Sequence, residues 1–308
     1  MKIALMFSGQ GAQFPGMMKD LYEAEPAARA VFEAADAALG RSVSALCFEG
    51  SQEELNLTHN TQPCVLAADL AAAAALSAHG VEAQGAAGFS LGEYAALAHA
   101  GSIAMSDVFP LIQFRADSMQ EAVAPGVGAM AAMLGGTPEQ VEAVCAQVTE
   151  GYVTAANYNC PTQTVISGEA AAVEQAIALA REKRIRGKML AVSAPFHCAL
   201  MESAARKLEA RFAEVTFSEP NMPVYMNVDG RVNADAAAIP GLLVQQAMSP
   251  VRWTKTLENM KADGFDTFIE CGPGRTLSGL AGKTLEGVTI LRVGDAATLK
   301  ETLEALGR

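Results

Sequence analysis

Basic residues are scarce: 22 Lys and Arg stand against 34 Asp and Glu, a formal net charge of −12. A phosphate backbone is repelled by such a chain unless cations cluster locally, so nucleic acid is not expected as a partner. The six cysteines (Cys47, Cys64, Cys145, Cys160, Cys198 and Cys271) include no C-x-x-C pair and no metal-ligand spacing. Neither a disulfide framework nor a zinc site is expected, and reduced thiols in a cytoplasmic setting are. Long hydrophobic runs are also missing. The longest Ala-rich stretch, Val65 to Ala78, contains Asp69 and falls short of the ~20 apolar residues of a membrane span, so it reads as a buried helix. The opening M-K-I-A-L-M-F passes directly into S-G-Q-G-A-Q, which reads as a first strand rather than a signal peptide. No repeats are evident. What the chain does have is apolar bulk: 51% of its 308 residues are hydrophobic and 18% charged, enough for a large core in one domain with an insertion, or in two domains.

Short apolar runs ending in Gly or polar turns recur at Ile3 to Phe7, Ala86 to Phe89, Val224 to Val228, Thr267 to Cys271 and Val288 to Val293. They read as buried strands. Helical stretches lie between them, at Ala27 to Leu39, Gln62 to Ala78 and Ala199 to Phe212. The alternation predicts an α/β fold with a mainly parallel sheet. From Gly128 the rhythm changes: strand (Ala129 to Leu134), helix (opened by Thr137-Pro138-Glu139-Gln140), strands (Val153 to Asn157 and Thr164 to Ser167), helix (Ala170 to Lys183) and strand (Lys188 to Val192). This βαββαβ order is the ferredoxin-like arrangement, and it predicts an inserted subdomain at 126–195 inside a core domain made of 1–125 and 196–308. Membership of one larger sheet is the alternative.

Gly88-Phe89-Ser90-Leu91-Gly92 follows a strand and opens a helix, the context in which G-x-S-x-G lifts a serine hydroxyl off the end of a sheet. An ordinary Gly-rich turn with Ser as N-cap reads equally well from the five residues alone. A nucleophilic serine needs a base, and there are four histidines. His59 falls in a polar loop, His79 ends the Ala-rich helix where a cation suits the dipole, and His99 lies near the end of Ser90's own helix. His197 follows a strand and Ala194-Pro195-Phe196 and then opens a helix, a strand-to-helix junction like that of Ser90. Strand ends of an α/β sheet converge on one crevice, so the two side chains are expected to meet. A purely structural histidine at a helix start is the other reading.

Residues 106–119 read as a helix with a Ser or Asp cap and a Pro near its first turn. At roughly 100° per residue, Val108, Leu111, Ile112, Met119 and Ala122 form an apolar arc opposite Gln113, Asp117, Gln120 and Glu121. Arg115 falls inside that arc. A guanidinium keeps its charge and is almost never buried alone, so it faces either a ligand or a buried Asp or Glu.

Ser90 in G-F-S-L-G-E-Y, Arg115 in Q-F-R-A-D-S-M-Q, His197 in P-F-H-C-A-L-M and the N-terminal F-S-G-Q-G-A-Q closely resemble the malonyl-CoA:acyl carrier protein transacylase family, acyltransferases of fatty acid synthesis. The likeness continues through Thr61-Gln62-Pro63, Asn157-Tyr158-Asn159, Asn227-Val228-Asp229, Pro250-Val251-Arg252-Trp253-Thr254 and Glu270-Cys271-Gly272-Pro273-Gly274, over nearly the whole chain. The resemblance implies a hydrolase-like α/β core with a ferredoxin-like insertion, and an activity that needs neither cofactor nor metal. It implies Ser90 as the acyl-accepting nucleophile, His197 as base and Arg115 as the clamp on the malonyl carboxylate. It further implies an oxyanion hole from the Gln10 and Leu91 amides, and a Gln246 carbonyl that orients the histidine. Malonyl-CoA and holo acyl carrier protein are the implied partners, with no membrane involved. Phe196, before the histidine, resembles malonyl-preferring members, although a methyl group is worth only ~1 to 3 kcal/mol of discrimination. Two positions depart from the family pattern: Phe89 stands where His is common, and Ser8 where Pro is common. An acidic carrier needs a basic face on this acidic chain, and Arg181, Lys183, Arg184, Arg186 and Lys188 are the densest candidate, against a solvated helix end. The rival readings are a serine acyl-thioester hydrolase using the same Ser90 and His197, and a non-catalytic carrier-protein-binding scaffold.

Overall fold

Ile3–Phe7 is buried at every position, so its run of apolar residues has no alternation to show: a strand covered on both faces is what a parallel sheet demands. The computed structural model describes residues 1–192 and 194–308. Its strands are β1 (Ile3–Phe7), β2 (Gly85–Gly88), β3 (Gly128–Leu134), β4 (Val153–Cys160), β5 (Gln163–Glu169), β6 (Arg186–Met189), β7 (Val224–Tyr225), β8 (Thr267–Cys271) and β9 (Thr289–Val293). Five of them form a sheet in the order β7-β2-β1-β8-β9, parallel at every pairing. The other four form a separate antiparallel sheet in the order β4-β5-β3-β6, the ferredoxin-like order. The chain is thus α/β, with a parallel sheet and a distinct antiparallel one.

The Ala-rich segment forms the helix Thr58–Ala78, long and apolar enough to cross a membrane, yet 83% of its apolar window is buried inside the fold. Small side chains let it pack closely on all sides. Pro63 inside it lacks the N–H that would bond the His59 carbonyl, and that carbonyl instead accepts from Arg41 Nη2 (3.0 Å) and Gln113 Nε2 (3.1 Å). The antiparallel sheet is two-faced. Ala129, Ala131 and Met133 of β3 pack with Val173 and Ile177 of the helix Ala170–Glu182, while Met130 and Ala132 face Met119 and Phe196. This second face lines one cleft together with Ser8 and Phe89, the residues that follow β1 and β2.

Several expectations need correction. His59 sits in the first turn of the helix Thr58–Ala78, not in a loop. The helix holding Arg115 is Met105–Glu121, with Ala104 as N-cap and no side-chain cap bond; Ser106 and Asp107 lie within it and Pro110 is its sixth residue. β6 is Arg186–Met189 rather than 188–192: Leu190 N–H still reaches the Met130 carbonyl (2.9 Å), but Leu190 and Val192 then turn to line a cleft. β7 has two residues where five were expected. The segment Ala199 to Phe212 opens with a 3₁₀ turn, Ala199–Met201, before the helix Glu202–Phe212.

Candidate active site

The turn after β2 is built for close approach. A Cβ added to Gly88 would lie 1.8 Å from the Gly92 carbonyl oxygen, and one added to Gly92 would lie 2.4 Å from that of Phe7. Only glycine fits either place. Between them Ser90 takes a left-handed backbone, φ 55°. Its N–H donates to Asn227 Oδ1 at 2.8 Å, and its carbonyl accepts from Gln246 Nε2 at 2.8 Å. The hydroxyl projects from the start of the helix Gly92–His99 into a cleft lined from both sheets.

Ser90 Oγ lies 2.7 Å from His197 Nε2, and His197 Nδ1 lies 2.8 Å from the Gln246 carbonyl. A carbonyl only accepts, so the ring carries its proton on Nδ1 and offers Nε2 to the hydroxyl. Burial, and then the nearby Arg115 charge, push the imidazole pKa down to about 4, which leaves it neutral at physiological pH. Ser90 and His197 therefore meet as expected, but not at the strand ends of one sheet. His197 follows the antiparallel sheet, not a strand of Ser90's own sheet, and reaches the hydroxyl from an irregular segment with φ 60°.

Arg115 is 1% exposed. Its Nη1 donates to Gln62 Oε1 (2.7 Å) and its Nη2 to Gln246 Oε1 (3.0 Å) and Ser90 Oγ (3.1 Å). The Tyr94 ring lies 5.3 Å from the guanidinium carbon. Among the described residues no ion pair includes Arg115. The charge is thus held by neutral amides and a hydroxyl, and the buried-acid alternative is not realised as a direct contact. The acid nearest in effect is Glu93, itself fully buried, whose carboxyl is raised to about 8 by burial; its Oε2 accepts from the Asn227 N–H at 2.6 Å.

Gln10 and Leu91 line the cleft on either side of Ser90, and among the described residues neither backbone N–H donates within the protein. Phe196 packs with Met119 and Met130 at the cleft wall. At the two departures, Phe89 stacks edge-on against Trp253 (ring centroids 5.6 Å apart) and the Ser8 hydroxyl donates to the Cys271 carbonyl at 3.2 Å. The other histidines lie elsewhere: His79 caps its helix beside Glu25 at 3.2 Å, and His99 stacks on Phe7. Arg181, Lys183, Arg184, Arg186 and Lys188 are all exposed at the end of a helix and along β6, an edge strand. Since Arg186 pairs with Leu134 and Lys188 with Ala132, both stand on the cleft side of the sheet. Three residues of the site, Gln62, Asn227 and Glu93, have no signature in sequence beyond lying in stretches of family resemblance.

A family model described as acyl transferase domain matches residues 5–299. The malonyl CoA-acyl carrier protein transacylase of Bacillus subtilis (strain 168) is 42% identical over 308 residues, covering 99% of this chain and 97% of that one. Among solved structures, the acyl-carrier-protein S-malonyltransferase of Burkholderia pseudomallei 1710b superposes with a TM-score of 0.96 at 42% identity, over 99% of this chain and 100% of that one. A malonyl-transacylase solved in complex with its holo type II PKS acyl-carrier protein gives a TM-score of 0.96 at 40% identity, over 99% and 100% of the two chains.

Proposed function

The chain belongs to the acyl transferase domain family, and on that premise we propose that it moves a malonyl group from malonyl-CoA to the phosphopantetheine thiol of acyl carrier protein through a malonyl-Ser90 intermediate. The observation that carries this reading is Arg115: a permanent charge, buried without a direct acidic partner, donating to the hydroxyl that is to be acylated. A carboxylate arriving there gains a charge-assisted contact where an acetyl group gains nothing.

Ser90 Oγ attacks the thioester carbonyl as its proton passes to His197 Nε2, and the carbonyl electron pair becomes an oxyanion. The Gln10 and Leu91 amides receive that oxyanion; a donor of this kind is worth ~10² to 10³ in rate. Collapse of the intermediate expels CoA sulfur, which takes the proton from His197. The carrier thiol then gives its proton to His197 and attacks the malonyl ester; the same steps return Ser90 and release malonyl-acyl carrier protein. The Gln246 carbonyl holds the Nδ1 proton throughout and leaves Nε2 to take up and return the transferred proton, so no third acid is needed.

The binding of malonate also strengthens the base. Arg115 is a cause of the low His197 pKa, and a bound carboxylate offsets that charge. We assign the residues 126–195 to a subdomain that roofs the cleft, and the five exposed cations along its edge to carrier docking. The six cysteines are free thiols, in keeping with a reducing, cytoplasmic compartment. The test is the fate of malonyl-CoA with and without holo carrier protein: transfer to carrier supports the reading, and release of free malonate as the dominant outcome contradicts it.

A further inference from the structure

Ser90 and the turn around it need an external brace, because a non-glycine residue in the left-handed region costs ~1 to 2 kcal/mol and relaxes unless its surroundings hold it. The neighbouring strand does not supply one. The β2–β7 ladder ends at Ala87 opposite Tyr225, one residue short of the turn. Two residues further along, Asn227 does with its side chain what the ladder no longer does. Its Oδ1 accepts from Ser90 N–H at 2.8 Å while its Nδ2 donates to the Gly88 carbonyl at 2.7 Å, so one amide bridges both arms of the turn. Its own backbone N–H donates to Glu93 Oε2 at 2.6 Å. Glu93 stands three residues beyond Ser90, in the first turn of the helix that Ser90 leads into. Asn227 and Glu93 are both 0% exposed, so no water competes for these bonds.

We infer that Asn227 is a positioning residue for the nucleophile, and that Glu93 acts through it. The inference rests on the reading of Ser90 as the acyl acceptor. An amide is suited to the place because one side chain must both accept from an N–H and donate to a C=O; a carboxylate at position 227 would face the Gly88 carbonyl with no proton to give. When the bridge is lost the turn loses its side-chain tie to the Ser90 N–H, and Oγ drifts from His197 Nε2. Loss of Asn227 spares substrate binding, since Arg115 is held by Gln62 and Gln246 and makes no bond to Asn227; Glu93 also acts on the Arg115 charge at a distance, so its variants are read on kcat.

The experiment is rapid-quench measurement of Ser90 acylation by malonyl-CoA, with steady-state kcat and KM and thermal unfolding, for wild type, N227A, E93A, E93Q and the N227A/E93A double variant. A misplacement of ~1 Å costs on the order of 10² in rate, and N227A is expected to lose about that in acylation rate and kcat while KM for malonyl-CoA stays within about threefold. E93A loses less, E93Q restores most of kcat because its amide oxygen still accepts from Asn227 N–H, and the double variant is no slower than N227A. A merely structural role lowers the unfolding temperature and leaves the kcat of folded enzyme unchanged, which overturns the inference. So does a double variant slower than N227A. If N227A does not fold, the E93A and E93Q pair decides: equal kcat in both overturns it. Wild type that acylates normally alongside an equally fast N227A refutes this inference alone, whereas wild type not acylated at Ser90 refutes the functional reading and takes this inference with it.

Discussion

Ser90 and His197 share a left-handed backbone, φ 55° and 60°, and their side chains meet at 2.7 Å. Among the described residues only Met18 and Arg184 are the other non-glycines with positive φ. Two of the four strained positions thus fall on the two groups proposed to exchange a proton. Strain of this kind persists where neighbouring structure enforces it, here through Asn227 and Gln246 on one side and the Gln246 carbonyl on the other.

Removing the guanidinium should separate malonyl from acetyl substrates. Losing one partner of a desolvated charge pair costs roughly 2 to 5 kcal/mol, so Arg115→Ala should lower kcat/KM for malonyl transfer by roughly 30-fold to several thousand-fold. Acetyl transfer should fall less, or rise. Parallel steady-state kinetics on the two CoA esters check this, and equal losses on both would contradict it.

The pH dependence follows from the same charge. His197 must be neutral to accept the serine proton, so activity falls as pH drops through its pKa, held near 4 by burial and by Arg115. Arg115→Ala removes the second cause, raises the pKa and moves the acid limb to higher pH. The profile of kcat/KM for acetyl-CoA measures this in both proteins. A limb at the same pH in both would show that Arg115 does not act on the imidazole.

Gly88 tolerates no side chain, because a Cβ there meets Gly92 backbone at 1.8 Å, whereas Gly279, inside a helix, has nothing within 4 Å. Gly88→Ala should destabilise by about 3 kcal/mol or more and abolish acylation. Gly279→Ala should stabilise by about 0.5 to 1 kcal/mol with activity unchanged. Thermal unfolding of the two variants side by side makes the comparison.

Arg181 and Lys183 lie exposed at the C-terminal end of the helix Ala170–Glu182. Reversing both charges should raise KM for holo carrier protein by about tenfold, since each close charge pair across such an interface is worth ~1 kcal/mol or more. KM for malonyl-CoA should not move. An unchanged carrier KM discards the docking assignment.

The parts of this structure that could be read in sequence are those with a local signature. The G-F-S-L-G turn carries its geometry in its glycines, and the βαββαβ unit carries its order in period and capping: Thr137 does cap its helix through a reciprocal bond with Gln140. Arg115 was visible because the helical period placed a charge among apolar neighbours. The route by which His197 reaches Ser90 is not legible, because it follows the antiparallel sheet and sequence does not say which strand ends share a crevice. Gln62, Glu93 and Asn227 remained hidden as participants. A buried amide or acid has no periodic mark, and Asn227 meets Ser90 only because two segments 137 residues apart are brought together at the end of a two-residue strand.

The central claim is tested most directly by intact-protein and peptide mass spectrometry after brief exposure to malonyl-CoA, run on wild type, Ser90→Ala and Arg115→Ala. The account predicts one malonyl group on Ser90 in wild type, none in Ser90→Ala, sharply reduced labelling in Arg115→Ala, and discharge of the label on addition of holo acyl carrier protein. A malonyl group on another residue, or an Arg115→Ala protein labelled as fast as wild type, would contradict it.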